Sequence, residues 1–186
     1  MQECGRSTSS AATWLNGAEE AENQANIDAL TGLPNRRYLD ELLANVGPRR
    51  RALDQLGALM IDLDYFKLLN DRYGHATGDR VLRAVGERIS SAVRAEDTPA
   101  RYGGEEFAVV LRRTTAEQAV EIAERIRTHI ADIPPSEMGT AERITVSIGA
   151  AVAEVRASEL PILLGAADGA LYEAKREGRN RVVLAK

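Results

Sequence analysis

Only one cysteine, Cys4, occurs in the 186 residues, so no internal disulfide can form and a reducing compartment suits the chain. No apolar run approaches bilayer-spanning length, and the polar N-terminus lacks the apolar core of a signal peptide. The expectation is a cytoplasmic protein without membrane insertion. An excess of basic residues is also missing: 24 Lys and Arg against 28 Asp and Glu leave a net charge of −4, which argues against nucleic acid as a partner. The Arg49–Arg51 run after Pro48 reads as a solvated loop. Residues 1–26 are rich in Ser, Ala, Glu and Asn, have only Trp14 and Leu15 as large apolar residues, and contain no heptad run. They read as a tail or linker helix ahead of a single domain over 27–186. The 44% apolar content and this length fit one good core and not two.

The most informative segment is Arg101-Tyr-Gly-Gly-Glu-Glu-Phe107, followed by Ala-Val-Val-Leu111. It reads as a β-hairpin whose two-residue loop is Gly103-Gly104, glycines that tolerate positive φ, with Glu105 and Glu106 leaving on opposite faces. Upstream, Ala58-Leu-Met-Ile-Asp-Leu-Asp-Tyr-Phe-Lys67 is an apolar strand that delivers charge at its tip. On that strand Asp62 and Asp64 share a face, although Asp64 also suits the N-cap of a helix carrying Phe66, Leu69 and Tyr73. A carboxylate at the end of an apolar strand, Asp62, is costly unless compensated. If the hairpin brings Glu105 within about 4 Å of it, the two anions repel by roughly 4 kcal/mol at a mid-range dielectric. A divalent cation reverses that sign, and oxygen-only ligands favour Mg²⁺ shared with phosphates, with Mn²⁺ as a substitute.

At this point the chain resembles the GGDEF domains, which are diguanylate cyclases of bacterial signalling. The likeness runs from Asp28 to about Arg181. It rests on Asp28-Ala-Leu-Thr-Gly-Leu-Pro-Asn-Arg-Arg37, Asp62-Leu-Asp-Tyr-Phe-Lys67, Asn70-Asp-Arg-Tyr-Gly-His75, Gly78-Asp79, Arg101 to Phe107, Val146-Ser-Ile-Gly149 and Ala174-Lys-Arg-Glu-Gly-Arg-Asn180. Glu105 occupies the third signature position, where Asp is the other accepted residue, so the carboxylate is retained.

The resemblance implies condensation of two GTP into cyclic di-GMP with release of two pyrophosphates, by a homodimer in which each subunit supplies half of the site. It assigns Asp62, Glu105 and the Leu63 carbonyl to Mg²⁺, and Glu105 also to accepting the ribose 3′-hydroxyl proton. Lys67 would stabilise transition-state charge, while Lys175 and Arg179 would grip phosphates. By sequence alone Lys175 equally suits the last turn of a helix ending near Gly178. Asn70 and Asp79 would read guanine, whose N1 and N2 donors a carboxylate accepts together; Gly78-Asp79 could instead cap the following helix. His75 is placed near the substrate. Arg94-Ala-Glu-Asp97 reproduces an inhibitory product motif upstream of the glycine pair, with Arg125 as its secondary contact, so cyclic di-GMP is also the expected inhibitor. A turn holding Asp97 is the ordinary alternative. A GGDEF module that binds GTP or cyclic di-GMP as a receptor without turnover is the rival reading, and the retained acidic residues oppose it.

The periodicity predicts helix at 35–46, strand at 57–63, helices at 65–72 and 76–94, strands at 98–102 and 106–112, helix at 115–131, strand at 143–153, helix at 159–177 and strand at 181–185. The middle of this order is βαββαβ, a ferredoxin-like α+β plan with a mostly antiparallel sheet and its two helices on one face. An extra C-terminal helix and strand follow. The same plan serves the palm of polymerases and nucleotidyl cyclases. It lays the first strand beside the hairpin, which brings Asp62 and Glu105 together.

Overall fold

The computed structural model describes residues 25–44, 54–155 and 160–186. The N-terminal lead up to residue 24, with Cys4, Trp14 and Leu15, and the Arg49–Arg51 run lie outside these residues. Among the described residues no helix is long and apolar enough to cross a membrane.

Helix α1 (Arg36–Ala44) precedes β1 (Asp54–Leu63), α2 (Phe66–Tyr73) and α3 (His75–Ala92). The hairpin strands β2 (Thr98–Arg101) and β3 (Glu106–Arg112) lead into α4 (Ala116–Ala131), the short α5 (Pro135–Met138), β4 (Val146–Val155), α6 (Leu160–Arg176) and β5 (Val182–Leu184). The sheet order is β2-β3-β1-β4-β5; all pairings are antiparallel except that of β4 with β5. β1 lies at the centre, where both of its faces can be buried.

Alternation along β1 sorts the core into two layers. Leu59, Ile61 and Leu63 face α3 and α4, meeting Val81, Val85, Ile89, Ile122, Ile126 and Ile130. Ala58 and Met60 face the opposite way, toward Leu160, Leu163, Leu164, Ala167 and Leu171 of α6 and Leu39 of α1. The two helices of the βαββαβ unit do share one face. The added C-terminal helix covers the other, and Asp62, in phase with Met60, is carried to that side.

Two local devices fix the elements that flank the site. Thr115 and Gln118 close a capping box that starts α4 cleanly. At Gly149 on β4 a side chain is excluded, because an added Cβ would stand 2.0 Å from the Ala167 carbonyl oxygen and 2.2 Å from the Leu171 nitrogen. The bare backbone lets α6 lie directly on the sheet, and so sets the height at which its last turn passes the end of β1.

Candidate active site

The cross-strand register places Asp62 opposite Glu106, and the Leu63 amide reaches the Glu105 carbonyl at 3.4 Å. The predicted juxtaposition of Asp62, Leu63 and Glu105 at one end of the sheet is what the pairing produces. The loop between the strands differs from a two-residue turn. Arg101 pairs with Phe107, and the amides of Tyr102 and Gly103 both donate to the Glu106 carbonyl, at 2.8 and 3.1 Å. Positive-φ glycines occur at 32, 74, 139 and 178, and neither Gly103 nor Gly104 is among them. With the extra residues in the loop, a primed turn is not required. What Gly104 contributes instead is space, since a Cβ there would meet nothing within 4 Å. Its carbonyl is held from below by Arg101, 2.7 Å from one guanidinium nitrogen, while the other lies 3.0 and 3.1 Å from the two Asp28 oxygens.

Asp62 is 6% exposed and pairs with Lys175, whose Nζ lies 2.9 Å from its Oδ2. Burial pushes the Asp62 carboxyl above the ordinary aspartate range, against the pull of Lys175 and the charge of Arg179. Half-buried Glu105 is also pushed up, by desolvation first and then by the negative charges of Asp62 and Glu106. Two carboxylates that both resist ionisation at one sheet end form an electrostatic deficit that a cation would fill. Among the described residues no group of three or more acidic, histidine or cysteine side chains forms a ready metal cage. The donor set of two carboxylates and a backbone carbonyl fits a hard ion that completes its shell with water and substrate oxygens, which is the habit of Mg²⁺.

Asp64 is not a helix cap. The N-cap of α2 is Tyr65, in the left-handed region at φ 59°, and no side chain caps that end. Buried Asp64 instead accepts from Thr145 Oγ1 and Ser147 Oγ, each at 2.7 Å, and from the Asn180 amide at 3.1 Å. Three donors satisfy the carboxylate, so it has a stable reason to be buried. It ties the β1–α2 turn to the turn after α6, which holds Arg179. Sequence reasoning missed this hub because its donors are a serine, a threonine and a backbone amide from distant segments.

Asn70 is brought against Gly78, the chain neighbour of Asp79. Gly78 packs against Asn70 so closely that an added Cβ would lie 2.0 Å from Asn70 Oδ1. That oxygen is buried and has no hydrogen-bond partner. The capping alternative for Asp79 fails, because α3 already begins at His75 with Gly74 as its N-cap, leaving Asp79 half-buried one turn inside. His75 is exposed at the first position of α3, and Lys67 is exposed at the second position of α2. Glu106, directly across from Asp62, was not singled out as a site residue, although strand pairing within the signature segment is the signal that finds it. It lines a groove of about 430 Å³ under the hairpin with Arg36, Asp40, Tyr102, Leu164 and Asp168. None of the predicted site residues lines that groove; the carboxylates Asp62 and Glu105 and the cation Lys175 meet at the sheet end beside it.

Arg94, Asp97 and Arg125 form a separate group past the other end of α3, a helix about 27 Å long at 1.5 Å for each of its 18 residues. Arg94 is exposed. Arg125 donates twice to the Ala92 carbonyl, at 2.9 and 2.6 Å. Asp97 is 7% exposed and accepts from the amides of Arg94 and Arg112 at 3.0 and 3.1 Å, so its carboxylate holds the turn and the end of β3.

The family model described as diguanylate cyclase, GGDEF domain, matches residues 25–181. Response regulator PleD of Caulobacter vibrioides is 42% identical over 172 residues, which is 90% of this chain and 38% of that protein. Diguanylate cyclase A of Treponema denticola is 40% identical over 180 residues, 95% of this chain and 48% of that protein. The chain thus spans less than half the length of either. Among solved structures, the coiled coil and GGDEF domain of DgcB from Caulobacter crescentus in complex with c-di-GMP aligns with a TM-score of 0.80 at 31% identity, covering 95% of this chain and 94% of that one. Diguanylate cyclase SiaD in complex with its activator SiaC, from Pseudomonas aeruginosa, aligns at 0.72 with 34% identity, covering 95% and 71%.

Proposed function

The chain belongs to the GGDEF domain family, and from that premise we propose that it is a diguanylate cyclase acting in the cytoplasm, joining two GTP into cyclic di-GMP. In each half-reaction a ribose 3′-oxygen attacks the α-phosphorus of the other GTP, the bond to the β-phosphate oxygen breaks, and pyrophosphate leaves. The observation that carries this reading is the meeting of Asp62 and Glu105, both pushed toward the protonated form, beside the open backbone of Gly104.

Asp62, Glu105 and the Leu63 carbonyl are the residues that would hold Mg²⁺ or Mn²⁺. When bound, such an ion acidifies the attacking hydroxyl and offsets charge building at the α-phosphate. Glu105 is the side chain for the 3′-hydroxyl proton. Lys175 and Arg179 neutralise the triphosphate, and exposed Lys67 reaches the transition state as a point cation. The unpartnered Asn70 Oδ1 supplies an acceptor for a guanine N–H, with Asp79 as the second acceptor of the pair. Adenine offers no adjacent donors to match them, so the pocket selects guanine.

Because two identical GTP molecules each attack the other, the complete site is assembled by two copies in a two-fold homodimer. Product held by Arg94, Asp97 and Arg125, at the far end of α3, acts as the inhibitor. The test is incubation with GTP and Mg²⁺, analysed for pyrophosphate and cyclic dinucleotide. Formation of both supports the reading, and intact GTP at high protein concentration defeats it.

A further inference from the structure

Tyr65 breaks two habits of an aromatic residue at once. It adopts the left-handed conformation, φ 59° and ψ 25°, which a side chain with a Cβ disfavours, and the residue is 60% exposed. Its hydroxyl makes no hydrogen bond within the described residues. The ring instead carries the Arg179 guanidinium, whose central carbon lies 4.6 Å from the ring centroid. Arg179 is itself left-handed, at φ 63°, between Gly178 at 116° and Asn180 at 47°. Such a run of positive φ is held in place from three directions. The Arg179 amide donates to the Ala174 carbonyl, the Asn180 amide donates to Asp64, and Asn180 Oδ1 accepts from Arg127 at 2.8 Å.

Asp64 and Tyr65, adjacent in sequence, therefore fix the same arginine by different means. Asp64 locks the backbone of its turn, and the Tyr65 ring lies against its guanidinium. A guanidinium held over an aromatic ring at this distance loses rotamer freedom while its fork of N–H donors remains available. No carboxylate or carbonyl within the described residues takes those donors. A guanidinium supported by a ring and unclaimed by acceptors is suited to a bidentate anion.

We propose that Tyr65 is a positioning residue that holds Arg179 ready for a nucleoside triphosphate, so that phosphate affinity depends on an aromatic ring at position 65. This rests on the GTP-binding part of the function proposed above. The contribution is to ground-state binding, because the stack forms before any ligand arrives; its loss therefore raises KM and leaves kcat nearly unchanged.

The test uses the whole chain with 3′-deoxy-GTP, which has the triphosphate and lacks the attacking hydroxyl, titrated by calorimetry in Mg²⁺. Tyr65→Ala should weaken binding about fivefold, the scale of a partly exposed cation–π contact, and Tyr65→Phe should stay within about twofold of the parent because the hydroxyl has no partner. In an Arg179→Ala background, Tyr65→Ala should add nothing. Should Tyr65→Ala fail to fold, Tyr65→Leu runs the same cycle. Additive losses in the double variant, or a Tyr65→Phe protein as weak as Tyr65→Ala, overturn the inference. A parent that binds no 3′-deoxy-GTP overturns this inference and the function together. Triphosphate binding without cyclic product from GTP overturns the cyclase reading alone.

Discussion

Lys175 Nζ stands 2.9 Å from Asp62 Oδ2, joining the last turn of α6 to the end of β1. The pair is a compromise, since one ammonium that is a third exposed only partly offsets the burial of the carboxylate. Asp62→Asn should therefore abolish product formation while leaving the metal-free fold as stable as the parent or more so. A carboxyl whose native pKa is raised costs stability once pH exceeds its unfolded value. In chelator at pH 7 the variant should melt no lower than the parent, and any gain should disappear below about pH 4, where the parent is protonated as well. Melting curves across pH beside an activity assay check both halves.

Gly78→Ala should damage base recognition specifically. The new methyl would need the space of Asn70 Oδ1, 2.0 Å away, and lies 3.1 Å from the Phe66 ring, so the amide must swing out of the pocket. GTP should bind roughly tenfold more weakly, as a lost hydrogen-bonding group implies, with little change for any residual ATP. Equal losses for both nucleotides would mean that the helix has shifted instead.

The proposed product site offers two mutations with different expected costs. Asp97→Ala strips two backbone amides of their acceptor and should lower stability by about 1–3 kcal/mol, which confounds any binding result. Arg94→Ala removes an exposed side chain and should weaken cyclic di-GMP binding with little change in melting, extending product accumulation in a progress curve. Unchanged affinity for labelled cyclic di-GMP would remove Arg94 from the site.

Asp28 gives the clearest pH dependence. Burial pushes its carboxyl up, but the Thr31 hydroxyl and amide and the Arg101 guanidinium outweigh that and hold it below the ordinary aspartate value. Stability from such a group is present above its unfolded pKa and lost as pH falls through the lower native one. Asp28→Asn should therefore melt below the parent at pH 7, by an amount corresponding to about 1–2 kcal/mol, and the gap should narrow below about pH 4. Because Arg101 also supports the Gly104 carbonyl, GTP affinity should fall with it.

Specific activity should rise with protein concentration, as a site shared between two copies requires. A leucine zipper fused ahead of Asp28 should raise activity at high dilution by keeping two domains close. Activity per subunit that stays constant while the protein sediments as a monomer would dismiss the shared site.

Much of this arrangement was legible in the amino-acid order. Period-two and helical apolar patterns placed every strand and helix except the short α5 to within a few residues, and the βαββαβ order alone brought β1 beside the hairpin, and with it Asp62 beside Glu105. Conformations set by distant partners were not legible. Asp64 looks like a cap because Phe66, Leu69 and Tyr73 begin a helical stripe next to it, yet Thr145, Ser147 and Asn180 claim its oxygens. Gly103-Gly104 looks like a primed turn, but the pairing of Arg101 with Phe107 lengthens the loop and removes the need for positive φ. Local sequence encodes element and register well. It does not show which of several donors a buried carboxylate will meet.

The hydrogen bond from Asn180 to Asp64 spans 116 positions of the chain. The carboxylates of the site and the hairpin can be in place before the segment from Lys175 to Asn180 exists, but the proposed phosphate grip cannot. On a growing polypeptide the centre would pass through a stage with acidic residues assembled and their cationic counterpart still unmade, a long-range closure of the kind that slows folding. A chain cut short before Lys175 would then keep a recognisable glycine-acid signature with no hold on a triphosphate, and a fragment of that kind could look like a cyclase by motif while being unable to act as one.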